Sequence, residues 1–432
     1  MIDRNSYLRE IEPLKNQPLV KILAGIRYGG KSEIFLQLIR RFKECGVEDD
    51  HIVYLNLENS AFSHLSTATD IKNYIEAKIQ SGGKYYLLLD EVQNISGWEK
   101  ALSDLYPRKD IDIDIYISSS CANIRNIQTK YNRPWVKINV KPFSFSEYKN
   151  NVKPVFIRGK GLLKCAISIR ESALTQFSNY VCAGGFPAVF LEKEDAIKTR
   201  IEEIYSSILF RSLVQKYNIH NIELLERIIK YIFENISQEN SAKKIQDHLL
   251  KENYNKNLSQ VSKHIKYLED SFILKRIYRY NISSGKILHT NVQYFIEDHS
   301  LLNAVIQIND FTKFGIYANI ILNDLLCRKM KVFTGKFFDN TIDFVAAMDK
   351  GDKIIFIQLV FGKYVWQEQI DEKLKSFHSL LKVIDKYIDH PKKAMYLVFT
   401  NTDLLPPLPC DTISDGIIKY IKMADYLLLK EL

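Results

Sequence analysis

Between Ala24 and Phe42 the chain reads AGIRYGGKSEIFLQLIRRF, with Gly25, four residues, then Gly30, Lys31 and Ser32 in succession. These residue types at this spacing suit the holding of a polyphosphate; a glycine-rich strand-to-helix turn with no ligand is the alternative. Glycines let main-chain N–H groups approach phosphate oxygens, a lysine reaches the β- and γ-phosphates, and a serine hydroxyl ligates Mg²⁺. Contacts to ATP are expected from Gly25, Ile26, Arg27, Tyr28, Gly29, Gly30, Lys31, Ser32 and Glu33. Further along, KYYLLLDEVQNISGWE ends an apolar run in Asp90 and Glu91. Asp90 is expected to hold Mg²⁺ beside Ser32, and Glu91 to orient and deprotonate the attacking water.

The flanking segments must form the elements that position these groups. LVKILAG reads as a buried strand, and SEIFLQLIRRF as an amphipathic helix whose positive end adds to the phosphate cradle. The apolar run before Asp90 suits a central parallel strand buried on both faces, with ligands beyond its carboxyl end. A third strand, DIDIYISSS, ends in Ser118, Ser119 and Ser120. Ser120 is a candidate sensor of the γ-phosphate, and a plain serine-rich turn is the alternative. Arg133, in YNRPWVKINV, is a candidate arginine finger acting in cis or from a neighbouring subunit; a surface arginine before a strand is the other reading.

The whole chain bounds the rest. Its 432 residues are enough for several domains, and 46% hydrophobic residues exclude wholesale disorder. A net charge of +9 permits a polyanionic partner without requiring one. Six cysteines, Cys45, Cys121, Cys165, Cys182, Cys327 and Cys410, form no close pair, which argues against a zinc knuckle or a disulfide framework. The first residues, MIDRNSYLREIEPL, are not a signal peptide, and no window of about 18 apolar residues appears. A cytoplasmic location with no membrane contact is expected.

From NSAKKIQDHLL through NLSQVSKHIKYLEDSFILKRIYRY to SSGKILHTNVQYFI the rhythm is helix, helix, then two strands joined at SSGK, the outline of a winged helix. Val261, Ile265 and Leu268 share one helical face, leaving Ser259, Gln260, Lys263, His264 and Lys266 largely on others. Such a helix suits a DNA major groove, with phosphate contacts from Lys275, Arg276, Arg279 and Lys286. A solvated basic face, or a protein-docking lid, is the alternative.

With these stretches in view, the chain resembles a family of prokaryotic AAA-type ATPases in which an ATPase module precedes a winged helix and a C-terminal domain of unknown function. That last domain itself resembles restriction-type nucleases. The resemblance rests on GIRYGGKS, LLLDEVQNISGWEKAL, DIDIYISSS, VKPFSFSEY, NYVCAGGFPAV, YLEDSFILKRIYRYNI, GKILHTNVQYFIEDHSLLNA and NTIDFVAA, in family order. Two departures stand out: Tyr28 replaces a common second arginine, and Ser119, Ser120 and Cys121 replace Gly-Ser-Asn.

The resemblance implies an α/β fold: a P-loop AAA-type parallel sheet domain (residues 1–155), a helical and winged-helix segment (156–305), and an α/β restriction-nuclease-like domain (306–432). In the last, Asp343 stands where the first nuclease acid belongs, but Gln358, Val360 and Ala318 occupy positions that need an acid, a lysine and an acid. Asp324 lies too far along the same helix to substitute. The domain is therefore expected to be nuclease-like in shape and catalytically silent. The function expected is an Mg²⁺-dependent ATPase that switches conformation for double-stranded DNA or a partner protein, with a homo-oligomer admissible. The alternatives are an ATP-binding regulatory or toxin–antitoxin-like module with little turnover, and an ATP-regulated nuclease.

Overall fold

The computed structural model describes residues 2–79, 82–105, 112–124, 134–151, 169–348, 354–361, 375–380, 394–400 and 418–429. A short helix α1 (Asn5–Ile11) leads into strand β1 (Val20–Ala24), all five residues of which are buried. Helix α2 (Lys31–Glu44) follows, then β2 (Ile52–Asn56), α3 (Ala68–Lys78), β3 (Lys84–Asp90), α4 (Trp98–Leu105), β4 (Asp112–Ser119) and β5 (Trp135–Asn139). The five strands pair in parallel in the order β2-β3-β4-β1-β5.

Period-two side-chain alternation explains the layering. Ile22, Leu87, Leu89, Ile115 and Ile117 belong to one apolar cluster, while Leu23, Tyr86, Leu88 and Tyr116 belong to another with Phe35, Leu38 and Phe42 of α2. Both faces are thus covered, as a parallel sheet requires. Within the sheet, Lys21 of β1 is fully buried and ion-paired with Asp114 of β4.

Beyond the sheet come α5 (Phe145–Asn151), α6 (Ile169–Ala183) and α7 (Ile197–Ser207), the last running into a π-helix at Ile208–Gln215. Helices α8 (Ile222–Glu234), α9 (Ala242–Lys251) and α10 (Leu258–Asp270) follow, capped by the side chains of Asn221, Ser241 and Asn257. Next are the short strand β6 (Glu239–Asn240), which lies between α8 and α9 in the chain, and the antiparallel hairpin of β7 (Leu274–Asn281) and β8 (Lys286–Ile296).

After α11 (Leu301–Val305) and α12 (Asp310–Cys327) come β9 (Lys331–Phe337), β10 (Asn340–Ala347), β11 (Ile354–Val360), β12 (Ala394–Thr400) and β13 (Ile418–Lys422). These join the hairpin in one eight-stranded sheet, ordered β13-β12-β11-β10-β9-β7-β8-β6. The link is parallel pairing of Arg279 with Thr334 and Tyr280 with Gly335. The sheet therefore runs across the boundary drawn at residue 305. One large core cluster unites Ile26 of the glycine-rich loop, Phe143 and Phe145 with the helices and this second sheet.

Candidate nucleotide site

The loop between β1 and α2 is shaped by its glycines at two points. A Cβ on Gly25 would sit 1.9 Å from the Val140 carbonyl oxygen, and Gly30, which caps α2, has φ 96°. Tyr28 also adopts a left-handed backbone, at φ 65°. The loop ends at the first turn of α2, whose N–H groups an α-helix leaves without intrahelical partners.

Strand order brings the other groups to that loop, because β4 lies between β1 and β3. Lys31 Nζ donates to the carbonyls of Gly25 and Ile26, both at 3.0 Å, and to Ser120 Oγ at 2.9 Å. It also lies 3.0 Å from Glu91 Oε1. Ser120 donates in turn to the Glu91 carboxylate, at 2.6 Å to Oε2, and Gln93 Nε2 donates to the same oxygen. Glu91 sits at φ 57°, held by its N–H donating to Ser118 Oγ at 2.9 Å.

Asp90 is fully buried. Ser118 donates to its Oδ1, and Tyr54 donates to Oδ2 at 3.2 Å. Burial and the neighbouring Glu91 raise its pKa, against the opposing pull of Ser118, Ser32 and Lys31. Burial also pushes Glu91 upward, but Lys31, Arg27, Ser120 and Gln93 outweigh it and hold this carboxyl down at about 2. The two adjacent acids are thus driven apart. A buried carboxylate with a serine hydroxyl beside it fits a hard divalent cation, which would relieve the burial penalty on Asp90.

The expected site residues do not all lie together. Gly25, Gly30, Lys31, Ser32, Asp90, Glu91 and Ser120 converge at the carboxyl end of the sheet. Arg27 and Tyr28 face the helical segment: Arg27 pairs with Glu58 and donates to Ser212 Oγ at 3.2 Å, and Tyr28 bonds Ser207 Oγ at 2.8 Å. The Glu33 carboxylate accepts from Gln37 Nε2 at 3.1 Å. Arg133 lies outside the described residues. Tyr54, Glu58 and Gln93 were missed, since only Gln93, three residues after Asp90, carried any local signal.

In α10 and the β7–β8 hairpin the structure buries one residue expected to contact nucleic acid and pairs three of the expected cations within the chain. Lys263, Lys266 and Lys286 are exposed, but His264 is buried at 9% exposure, its Nδ1 bonded to the Gln260 carbonyl at 2.8 Å. Lys275 is ion-paired with Glu297 at 2.6 Å, Arg276 with Glu269 at 2.7 Å, and Arg279 with Glu239. Those three cations are engaged within the chain. In the second sheet, Leu359 N–H donates to Asp343 Oδ2 at 2.7 Å, and Gln358 Nε2 donates to the Thr341 carbonyl at 2.8 Å. Both side chains tie β10 to β11, beside the point where the register of β10 against β9 shifts between Ile342 and Val345. Ala318 and Val360 are core residues, and Asp324 pairs with Arg328 at 2.6 Å.

Comparison with known proteins adds the following. Residues 17–149 match the family of the AAA domain. That match spans the parallel sheet and every converging group named above. Residues 174–312 match a domain of unknown function, which places that domain on the helices and the β7–β8 hairpin. An uncharacterized protein of Haemophilus influenzae is 28% identical over 392 residues, covering 90% of this chain and 92% of its own length. An uncharacterized protein of Methanocaldococcus jannaschii is 24% identical over 294 residues, 66% of this chain and 61% of its own.

Among solved structures, Cdc6p from Pyrobaculum aerophilum covers 74% of this chain and 95% of its own, at 12% identity and a TM-score of 0.27. A chain of Drosophila ORC bound to GC-rich DNA and Cdc6 covers 69% and 88%, at 10% identity and a TM-score of 0.23. Likenesses this distant carry no argument. No helix among the described residues is long and apolar enough to cross a membrane.

Proposed function

We propose that the protein binds ATP with Mg²⁺ and hydrolyses it. The observation that carries this reading is the meeting of Lys31 Nζ, Ser120 Oγ and the Glu91 carboxylate within 3.0 Å at the N-terminus of α2. Lys31 and the loop amides neutralise the triphosphate, and Ser32 with Asp90 would hold Mg²⁺, whose charge supports the leaving phosphate. An arriving γ-phosphate competes for Lys31 and Ser120, freeing Glu91 to accept a proton from water. The test is phosphate release from ATP by the purified protein, with and without Mg²⁺; no release under any condition would sink hydrolysis.

A second reading is favoured by one observation: Glu91 is engaged at once by Lys31, Ser120 and Gln93. A base so held suits a regulatory module that keeps ATP with little turnover. In either case the bonds from Arg27 and Tyr28 to Ser212 and Ser207 carry loop movement into the π-helix, and Ser271 Oγ donates onward to the Ser212 carbonyl at 2.9 Å. Nucleotide state would thereby bias the position of α10, whose exposed Lys263 and Lys266, with Lys286 on the wing, are the proposed contacts to duplex DNA. The second sheet is proposed to be nuclease-like in shape and silent.

A further inference from the structure

Arg4 lies in α1's approach to the sheet and belongs to none of the motifs above, yet its side chain is fully buried beside the glycine-rich loop. Its guanidinium is fixed on several sides. Nη2 donates to the Lys141 carbonyl at 2.6 Å, Nε stands 3.6 Å from Glu147 Oε1, and the rings of Tyr7 and Phe143 lie 4.6 and 5.2 Å from Cζ. Nη1, like Nε, has no hydrogen-bond partner among the described residues. That nitrogen lies 3.5 Å from the point where a Cβ on Gly30 would sit, and Pro187 Cγ lies 3.4 Å from the same point.

Arg4 and Pro187 therefore wall the side of Gly30 toward which a Cβ would point. Gly30 is the N-cap of a 14-residue helix, so a guanidinium that Glu147 faces at Nε, but whose Nη1 has no acceptor among the described residues, has been placed where the helix already presents its positive end. Two like fields at one point are tolerable when an anion completes them. The Pro187 wall is itself braced: Gly185 N–H donates to Asp298 Oδ2 at 2.7 Å, and Ser300 Oγ donates to Asp298 Oδ1 at 2.6 Å. This accounts for the GGFP and EDHS stretches, which the hydrolytic reading leaves without a role.

We propose that Arg4 donates a hydrogen bond from Nη1 to the β-phosphate of the bound nucleotide. The inference rests on the nucleotide reading of the loop. In a phosphate loop the amides at the helix start cradle the α- and β-phosphates, while the lysine reaches toward the γ-phosphate. Arg4 stands beside Gly30, at that helix start, and its contacts among the described residues include none of Glu91, Ser120 or Asp90.

The test measures affinities of the full chain for AMP, ADP and ATP by competition against a fluorescent ADP, for wild type, Arg4→Met and Arg4→Lys. Arg4→Met is expected to weaken ADP and ATP alike, roughly 10- to 100-fold, and to leave AMP unchanged. Arg4→Lys, which keeps the charge and the fold, is expected to recover part of the loss. ADP affinity equal to wild type in both variants overturns the proposal, as does a common loss for AMP, ADP and ATP, which would mark a merely structural arginine. A wild type that binds no nucleotide overturns the reading of the loop itself, which is a separate and visible result.

Discussion

The amine of Lys31 lies 3.0 Å from a carboxylate oxygen of Glu91, and both side chains are nearly excluded from solvent. The group proposed to bind phosphate and the group proposed to activate water thus neutralise each other. Glu91→Gln is expected to lower phosphate release by about 10²- to 10⁴-fold while ATP affinity is kept. Steady-state turnover and ATP binding check this together; undiminished turnover would remove Glu91 from the chemistry.

The same pair sets a pH dependence. The folded value of Glu91, about 2, is below its ordinary 4.5. Its ionised form therefore stabilises the fold above about pH 4.5, and that contribution drains away as pH falls toward 2. Asp90 has the opposite sign: raised above 3.8, its contribution is present below that value and is lost as pH rises through the folded value. Glu91→Gln should flatten the loss of stability between pH 4.5 and 2, and Asp90→Asn should raise the neutral-pH melting temperature of the nucleotide-free protein. Thermal melts across pH measure both.

Lys31→Ala on its own would strand a buried carboxylate, a change that costs about 3–5 kcal/mol. The cleaner comparison places it in the Glu91→Gln background. There, ATP at about 100 times its dissociation constant should stabilise the single variant by about 2.7 kcal/mol and the double variant hardly at all. Equal ATP-induced shifts in the two proteins would count against a phosphate contact by Lys31.

For duplex DNA, removing Lys263, Lys266 or Lys286 should each reduce the slope of log affinity against log salt by about 0.9. His264→Ala should leave that slope alone and lower stability, because the ring is buried. Fluorescence anisotropy with labelled duplex decides; absence of binding at low salt in the wild type would end the DNA proposal.

In the second sheet, Asp343→Ala removes the acceptor of the Leu359 N–H. It should cost about 1–3 kcal/mol of stability. No Mg²⁺- or Mn²⁺-dependent cleavage of DNA or RNA is expected from either protein. Cleavage by wild type that Asp343→Ala abolishes would establish a working nuclease.

The strands of the parallel sheet and the glycine-rich turn between β1 and α2 were legible because each depends on local spacing. A glycine-rich turn needs its small residues in place, and a doubly covered strand needs apolar residues on both sides. Fold order emerged equally well where helix and strand periods were long. The cations of the hairpin were not legible. Lys275, Arg276 and Arg279 look free in a linear reading, and only folding brings Glu297, Glu269 and Glu239 to them. His264 was assigned to a solvent-facing arc that α10 in fact packs inward.

By itself the sequence determined the glycine spacing, the lysine and the paired acids on which the proposed triphosphate site rests, since these follow from residue type and neighbouring backbone. Tertiary structure alone decided that Lys31 rests on Glu91, that Arg4 reaches Gly30 from outside the loop, and that the β7–β8 hairpin merges with the strands after it. Periodicity encodes a face; it does not encode the partner that face will meet. Ion pairs and hydrogen bonds act over a few ångströms, so they exist only once the chain has closed the distance.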